Sequence, residues 1–135
     1  MKNHPRIGAV GERRFAVERS HAIDFADERM PAVLCTPWLI WFLEHAAREA
    51  VLSCLEEGES TVGIEIEVQH LAPTPVGETV TCLARVVQVD GGRIAFQLEA
   101  RDEHELIAKG FHQLQVLQVE RFAARIQRKR KASQA

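Results

Sequence analysis

Glu44 is the first residue whose type and position could serve chemistry. It lies at the edge of an apolar helix face, between Ile40 and Val51. A carboxylate in such a place is costly unless it is paired or functional, and partial removal from water would suit a general base or a nucleophile. The alternative is a structural ion pair with Arg48, which follows four residues later on the same helix.

His70 is the second candidate. It continues a strand pattern in which Ile64, Ile66 and Val68 alternate with polar residues, so the ring is predicted to face the core at a strand end. A histidine in that position can act as an acid or a base, or it can orient a carboxylate. A structural hydrogen bond to a backbone carbonyl is an equally good interpretation.

Thr36 is the third candidate, because it is predicted to cap a helix whose first position is Pro37. The free N–H groups of a helix N-terminus can also polarise a carbonyl or hold an oxyanion. Thr36 and Glu44 are eight residues apart, or about 12 Å along a helix axis, and cannot bond directly. If both serve one site, a dimer with antiparallel helices could supply one residue from each protomer.

Two other residues are weaker candidates. Cys35 could be a nucleophile beside the helix start, although a buried structural cysteine is favoured. His112 follows Gly110 and Phe111 on the last predicted strand, where a structural role is favoured over a catalytic one. The histidines and carboxylates lack metal-ligand spacing, and no phosphate-binding or dinucleotide-binding motif occurs, so we expect neither a metal nor a cofactor.

One long amphipathic helix must position these residues, and it is predicted over residues 36–55, with Gly58 just beyond its end. At 100° per residue, a broad apolar face is shared by Leu39, Ile40, Leu43, Ala46, Ala47, Ala50, Val51 and Cys54. Strand patterns are found at residues 14–17, 21–25, 64–70, 79–89, 93–101 and 106–119. Asp90-Gly91-Gly92 predicts a tight turn, and Gly110 predicts a bulge or a close backbone approach.

This order of elements predicts an α+β domain in which an antiparallel sheet wraps around one central helix. We expect residues 1–135 to form a single domain, with a loosely ordered arm at 1–12 and a loosely ordered basic tail at 127–135. One helix covers only one face of such a sheet and leaves an edge strand free. A homodimer or a dimer of dimers is therefore predicted.

Composition narrows the class of protein. The 135 residues carry a net charge of −2, which argues against a nucleic-acid partner, and no apolar run is long enough to span a membrane. The three cysteines are widely spaced and make no disulfide framework, and the N-terminus lacks a signal-peptide core. These features predict a reduced, cytoplasmic protein.

An ordered set of motifs resembles the hotdog-fold thioesterases, and among them the fluoroacetyl-CoA thioesterases. The motifs are Cys-Thr-Pro-Trp-Leu-Ile at 35–40, Glu44 with Ala46-Ala47, Ser-Thr-Val-Gly at 60–63, Val-Gln-His-Leu-Ala-Pro-Thr-Pro-Val-Gly at 68–77, and Gly110-Phe111-His112. The resemblance covers roughly residues 8–125 and implies the hotdog fold, a dimer with sites at its interface, and hydrolysis of an acyl-CoA substrate without metal or cofactor.

The resemblance also assigns the site residues. The family's catalytic Thr, Glu and His fall on Thr36, Glu44 and His70, and its glycine near the substrate carbonyl falls on Gly63. We further predict that Gly110 and His112, from the last motif, take part in substrate binding.

Two departures from the family pattern bear on the substrate. The segment before the helix has Phe25 but not the further phenylalanines of the fluoroacetyl-specific enzyme, and Leu114 stands where that enzyme has an arginine. A small acyl-CoA, without marked preference for the fluoroacetyl group, is the predicted substrate. A hotdog hydratase or dehydratase and a non-catalytic acyl-CoA-binding or regulatory module are the alternative functions.

Overall fold

The computed structural model describes residues 1–134, which form a five-stranded sheet, two α-helices and two short 3₁₀ turns. The elements, in chain order, are β1 (Val10–Ala16), α1 (Thr36–Val51), β2 (Glu59–His70), β3 (Thr79–Asp90), β4 (Arg93–Arg101), β5 (Leu106–Gln118) and α2 (Val119–Gln134). The 3₁₀ turns are Arg19–His21, after β1, and Leu52–Cys54, which extends α1 almost to its predicted end.

The sheet is antiparallel throughout, with strand order β1-β3-β4-β5-β2. Strands β3, β4 and β5 form the predicted meander, and the turn at 90–93 is confirmed, with Gly91 at a φ of 57°. The meander does not include β2, which pairs with β5 across the sheet instead of with the next strand in the chain. The connection from β2 to β3 therefore crosses from one side of the sheet to the other.

Helix α1 packs chiefly against β1 and β3, the two strands at the edge of the sheet opposite to β2. Its buried residues are Leu39, Phe42, Leu43, Ala46, Ala47 and Val51, which meet the alternating inward residues of β3 and β4. The predicted α+β arrangement, with one long helix against an antiparallel sheet, is confirmed. Phe42 is an addition to the predicted apolar face, and it stacks on Phe15 of β1 at a centroid distance of 3.6 Å.

The structure places the first residues against the domain, and the strand predicted at 21–25 was wrong. The arm at 1–12 is tied down, because the Lys2 N–H donates to the Cys54 carbonyl, the Gly8 N–H donates to the Val86 carbonyl, and β1 begins at Val10. Residues 21–25 do not form a strand, apart from a single bridge between Ala22 and Leu34.

The basic tail continues the last helix. It is helical to Gln134, as part of α2, and only residue 135 of the predicted 127–135 tail lies outside the described residues. Its many Arg, Lys, Ala and Gln residues are good helix formers.

Strand β2 has an unpaired outer edge. The side chains of Ile64 and Ile66 are 45% and 37% exposed, although they are the apolar residues in the alternating pattern of this strand. The register shifts between Gly63 and Glu65, so a bulge lies in the middle of this edge. No helix within residues 1–134 has the length and apolar character needed to cross a membrane.

Candidate active site

The start of α1 holds Thr36 against the end of β2. Cys35, with extended backbone angles, is the N-cap, so the prediction that Thr36 caps the helix was wrong by one position. As the first helical residue, Thr36 is free to use its hydroxyl elsewhere, and Oγ1 lies 2.8 Å from Nδ1 of His70. This hydrogen bond defines the Thr36–His70 pair.

The Thr36–His70 pair borders a cavity of about 270 Å³, which is lined by Ile23, Val33, Leu34, Thr36, His70, Leu71, Ala72 and Pro73. The ring is partly buried, and burial lowers the pKa of His70 against a smaller opposing effect from the Ala72 backbone. A neutral ring is therefore favoured. Its Nε2 atom is buried and has no hydrogen-bond partner within the described chain.

Glu44 lies about two turns further along α1, in a different cavity. This second cavity, the Glu44 cavity, has a volume of about 290 Å³ and is lined by Trp41, Glu44, His45, Arg48, Thr61, Gly63, His112 and Leu114. Glu44 is exposed in the single chain, which differs from the expected partial burial. Arg48 does not neutralise it, because its guanidinium donates to Thr61 Oγ1 at 2.8 Å and to Ser60 Oγ at 3.3 Å.

Gly63 forms the wall of the Glu44 cavity directly beside the carboxylate. A Cβ atom at this position would lie 2.9 Å from Oε1 of Glu44 and 3.2 Å from Cε1 of His112. Both contacts are tighter than an ordinary van der Waals contact. A glycine is thus what lets the Glu44 carboxylate and the His112 ring approach the same stretch of β2.

His112 is the buried polar side chain of this group, with 2% of its surface exposed. Its Nδ1 lies 2.9 Å from the carbonyl oxygen of Glu65, to which it can only donate, and the ring stacks on Phe96. Burial lowers the pKa of His112, while the Glu65 carbonyl and the charge of Glu44 oppose that shift less strongly. In the neutral ring, the unprotonated nitrogen is therefore Nε2.

The structure thus divides the predicted site residues between two places. The Thr36–His70 pair lines one cavity, whereas Glu44, Gly63 and His112 line the other. Within one chain, Glu44 and His70 therefore line different cavities.

The remaining candidates lie outside both groups. Gly110 is needed for packing, since a Cβ there would collide with the Glu67 carbonyl oxygen, which confirms the predicted close backbone approach. It does not line the Glu44 cavity. Cys35 is half-buried at the helix start and is a free thiol.

A group that sequence spacing did not indicate lies where β3 begins and where β4 turns into β5. There, the side chains of Glu78, Glu103 and His104 have ligand atoms within 4.8 Å of one another. His104 Nε2 lies 3.3 Å from Glu78 Oε1 without hydrogen-bond geometry, and Glu103 Oε1 accepts the Thr79 N–H. The group is a cluster of two carboxylates and one imidazole in which His104 and Glu103 are exposed.

Five lining residues of the Glu44 cavity, one of which is Thr61 of β2, were not predicted as part of a site. Trp41, His45 and Arg48 project from α1 beside Glu44, and Leu114 faces them from β5. The rings of Trp41 and His45 stack at a centroid distance of 3.8 Å. For Trp41 and Arg48 the available signal was their spacing of three and four residues from Glu44, because such residues share one side of a helix.

Comparison with known proteins identifies the family of the chain. A family described as fluoroacetyl-CoA-specific thioesterase matches residues 17–120. The fluoroacetyl-CoA thioesterase of Streptantibioticus cattleyicolor is 35% identical over 137 residues, which cover 96% of this chain and 97% of that protein.

Solved structures show the same fold. A thioesterase superfamily member from Thermus thermophilus has a TM-score of 0.89 at 28% identity, with 97% of each chain covered. A variant of the fluoroacetyl-CoA-specific thioesterase FlK has a TM-score of 0.86 at 30% identity, covering 95% of this chain and 99% of that one. The predicted hotdog fold and the resemblance to thioesterases are both confirmed. The chain belongs to the fluoroacetyl-CoA-specific thioesterase family.

Proposed function

We propose that this protein is an acyl-CoA thioesterase that hydrolyses a small acyl-CoA to the free acid and CoA, in a site shared by two protomers. The observation that carries the proposal is the Glu44 cavity, in which an unpaired carboxylate faces a glycine that leaves it room. The relatives named as thioesterases give the substrate class.

The unpaired edge of β2 supports a homodimer. Strand β2 spans Glu59–His70, so a long row of backbone N–H and C=O groups is left without partners. Proteins rarely leave such an edge exposed, and the exposed Ile64 and Ile66 add apolar surface along it. Pairing of two β2 edges about a two-fold axis would join the two sheets into one.

That pairing would also unite the two groups of site residues. A two-fold axis makes paired edge strands antiparallel, so the end of one β2 lies beside the beginning of the other, about 4.8 Å away. His70 is the last residue of β2, and Gly63 lies in its first half. The Thr36–His70 pair of one protomer would then approach the Glu44 cavity of its partner.

Each group has a role in thioester hydrolysis. The backbone N–H of Thr36 and the other free N–H groups at the start of α1 would hold the carbonyl oxygen, where negative charge develops in the transition state, while the Thr36 hydroxyl donates to Nδ1 of His70 and leaves the ring proton on Nε2. Glu44 would attack the carbonyl carbon or activate a water molecule. The neutral His70 ring, fixed by its bond to Thr36, would move a proton to the departing CoA thiolate.

The substrate pocket favours a small and apolar acyl group. Leu114, which replaces the arginine expected from the family pattern, lines the Glu44 cavity, and Phe25 is 65% exposed instead of closing over a site. We therefore propose little selection for fluorine. Gly110 and His112 remain proposed contributors to substrate binding.

Two further proposals concern assembly and location. We propose that the protein forms a homodimer or a dimer of dimers. The free cysteines fit a cytoplasmic protein.

A panel of acyl-CoA thioesters, with detection of the released thiol, tests the proposed function. We expect the wild-type protein to release CoA from acetyl-CoA and similar short substrates, and Glu44→Gln to lose most of that activity. Binding of acyl-CoA without turnover by the wild-type protein would instead identify a non-catalytic acyl-CoA-binding module.

A further inference from the structure

Burial of His112 is not explained by packing alone. The ring is 2% exposed, its Nδ1 proton is committed to the Glu65 carbonyl, and Nε2 has no partner among the described residues. A buried nitrogen without a partner loses hydrogen bonds with water and gains none in return, which destabilises the folded state. An apolar residue stacked on Phe96 would avoid this cost.

The tautomer limits what can bond to Nε2. Because Nδ1 donates to a carbonyl oxygen, Nε2 of the neutral ring is an acceptor and requires a donor. The nearby Glu44 carboxylate is also an acceptor when ionised, so the two groups cannot bond to each other. One molecule with two O–H donors, which is water, can satisfy both.

The Glu44 cavity, with a volume of about 290 Å³, has room for such a molecule. Gly63 shows that the two groups approach the same point, because a Cβ on it would lie 2.9 Å from Glu44 Oε1 and 3.2 Å from His112 Cε1. The other charged or titratable side chains of the cavity are His45 and Arg48, and Arg48 is held by Ser60 and Thr61. No other carboxylate lines the cavity within the described chain.

We propose that Nε2 of His112 and the carboxylate of Glu44 together hold the hydrolytic water of the thioesterase, so that His112 is a catalytic residue. This inference rests on the proposed function. It assigns Glu44 as the general base that activates water and not as the nucleophile.

The step balances with these groups and His70. The water oxygen forms a bond to the thioester carbonyl carbon while one of its protons passes to the Glu44 carboxylate. Collapse of the tetrahedral intermediate breaks the C–S bond, gives the free acid and releases the CoA thiolate. The thiolate takes its proton from His70, and the proton that Glu44 removed from water restores the His70 ring, so that Glu44 is ionised again. His112 orients the water by accepting its second O–H and stays neutral.

Replacement of His112 by two residues of different hydrogen-bonding capacity tests the inference. His112→Phe keeps a ring against Phe96 but removes the acceptor, and we expect kcat to fall by about 10²-fold with KM little changed. His112→Gln can place an amide oxygen near the position of Nε2, so we expect it to recover part of kcat. His104→Gln, at a surface histidine outside the site, is the matched control and should retain wild-type activity.

A double mutant separates a catalytic role from a structural one. If His112 and Glu44 act on the same water, His112→Phe should cost little more in a Glu44→Gln background, whereas a structural defect should add to the loss. In the wild type, kcat should also fall at acidic pH as His112 becomes charged, because a charged ring cannot accept a hydrogen bond. Burial lowers the pKa of His112, so this fall should come at a lower pH than for an ordinary histidine. That acidic limb should move in His112→Gln.

The possible outcomes are distinct. If wild-type protein hydrolyses no acyl-CoA, the proposed function fails and the role of His112 fails with it. If the wild type is active and Glu44→Gln is not, a folded His112→Phe protein with wild-type kcat overturns only the role of His112. Should His112→Phe fail to fold, a His112→Gln protein with unaltered kcat and pH profile overturns that role in the same way.

Discussion

Gly63→Ala places one methyl group between Glu44 and His112. The new Cβ would lie 2.9 Å from Glu44 Oε1. An ordinary contact is about 3.5 Å, so the carboxylate must withdraw by roughly 0.5 Å. Since a misplacement of about 1 Å in a catalytic group can cost about 10²-fold, we expect kcat/KM to fall by roughly 10-fold, or about 1.4 kcal/mol of transition-state stabilisation.

The fold should tolerate this change. Gly63 is not in the left-handed region of backbone conformation, and the crowded atoms belong to side chains, one of which is the flexible end of Glu44. Alanine also loses less backbone entropy than glycine when a strand forms. The melting temperature should therefore be unchanged or slightly higher.

Released CoA thiol, measured against acyl-CoA concentration, gives kcat/KM for this variant. Gly92→Ala is the matched control, because its Cβ would crowd the amide of Gln115 and the Val116 carbonyl, none of which lines the Glu44 cavity. Wild-type kcat/KM in a folded Gly63→Ala protein would refute the placement of the reacting atoms beside Glu44.

Four further predictions rest on the same contacts. Glu44→Gln and His70→Ala should each lower turnover, Glu44→Gln by about 10²-fold or more. The double mutant should be little worse than the worse single variant, and losses of activation free energy that add up in the double mutant would contradict a shared step. Thr36→Val should destabilise the protein by about 1 kcal/mol in chemical denaturation through loss of the His70 hydrogen bond, and Thr36→Ser should not; equal stabilities would disprove that bond. Burial lowers the pKa of His70 and His112 in the folded state, so the unfolded state takes up protons at a higher pH. The free energy of unfolding should therefore decrease as the pH falls from about 6.5, the pKa of an unfolded histidine, through the lower pKa values of the folded state. His112→Gln should make this dependence of stability on pH less steep, and an unchanged dependence would count against the buried neutral ring. The kcat/KM for fluoroacetyl-CoA should stay within about 10-fold of that for acetyl-CoA, and a preference of about 10²-fold would overturn the proposal about Leu114.

Local patterns in the sequence were sufficient for the helix, most strands and the tight turn. The periodicity of α1 and the Asp90-Gly91-Gly92 turn depend on residues close in the chain. The helix start was missed by one position, because the cap is set by the extended backbone of Cys35 and not by the better capping chemistry of Thr36. The hydroxyl of Thr36 bonds to a side chain from β2 instead.

Long-range pairing was outside the reach of local patterns. The alternation of Ile64, Ile66 and Val68 predicted a strand but not its neighbour, and β2 pairs with β5, the last strand in the chain. The same limitation applies to the site. The sequence suggested Glu44 and His70 as one pair, whereas the sheet order carries His70 to Thr36 and brings His112 to Glu44. The motif containing Gly110 and His112 was the only indication of His112 in the sequence.

A mixed dimer tests the central claim that the site is shared by two protomers. Glu44→Gln and His70→Ala chains with different affinity tags can be co-expressed, and the dimer carrying both tags can be isolated by two successive purifications. In a shared site, this dimer contains one site with both mutations and one site with neither. Its activity should therefore recover to about half that of the wild-type dimer, while both parent homodimers stay nearly inactive. A mixed dimer no more active than its parents would show that Glu44 and His70 of one chain serve the same site, which contradicts the account.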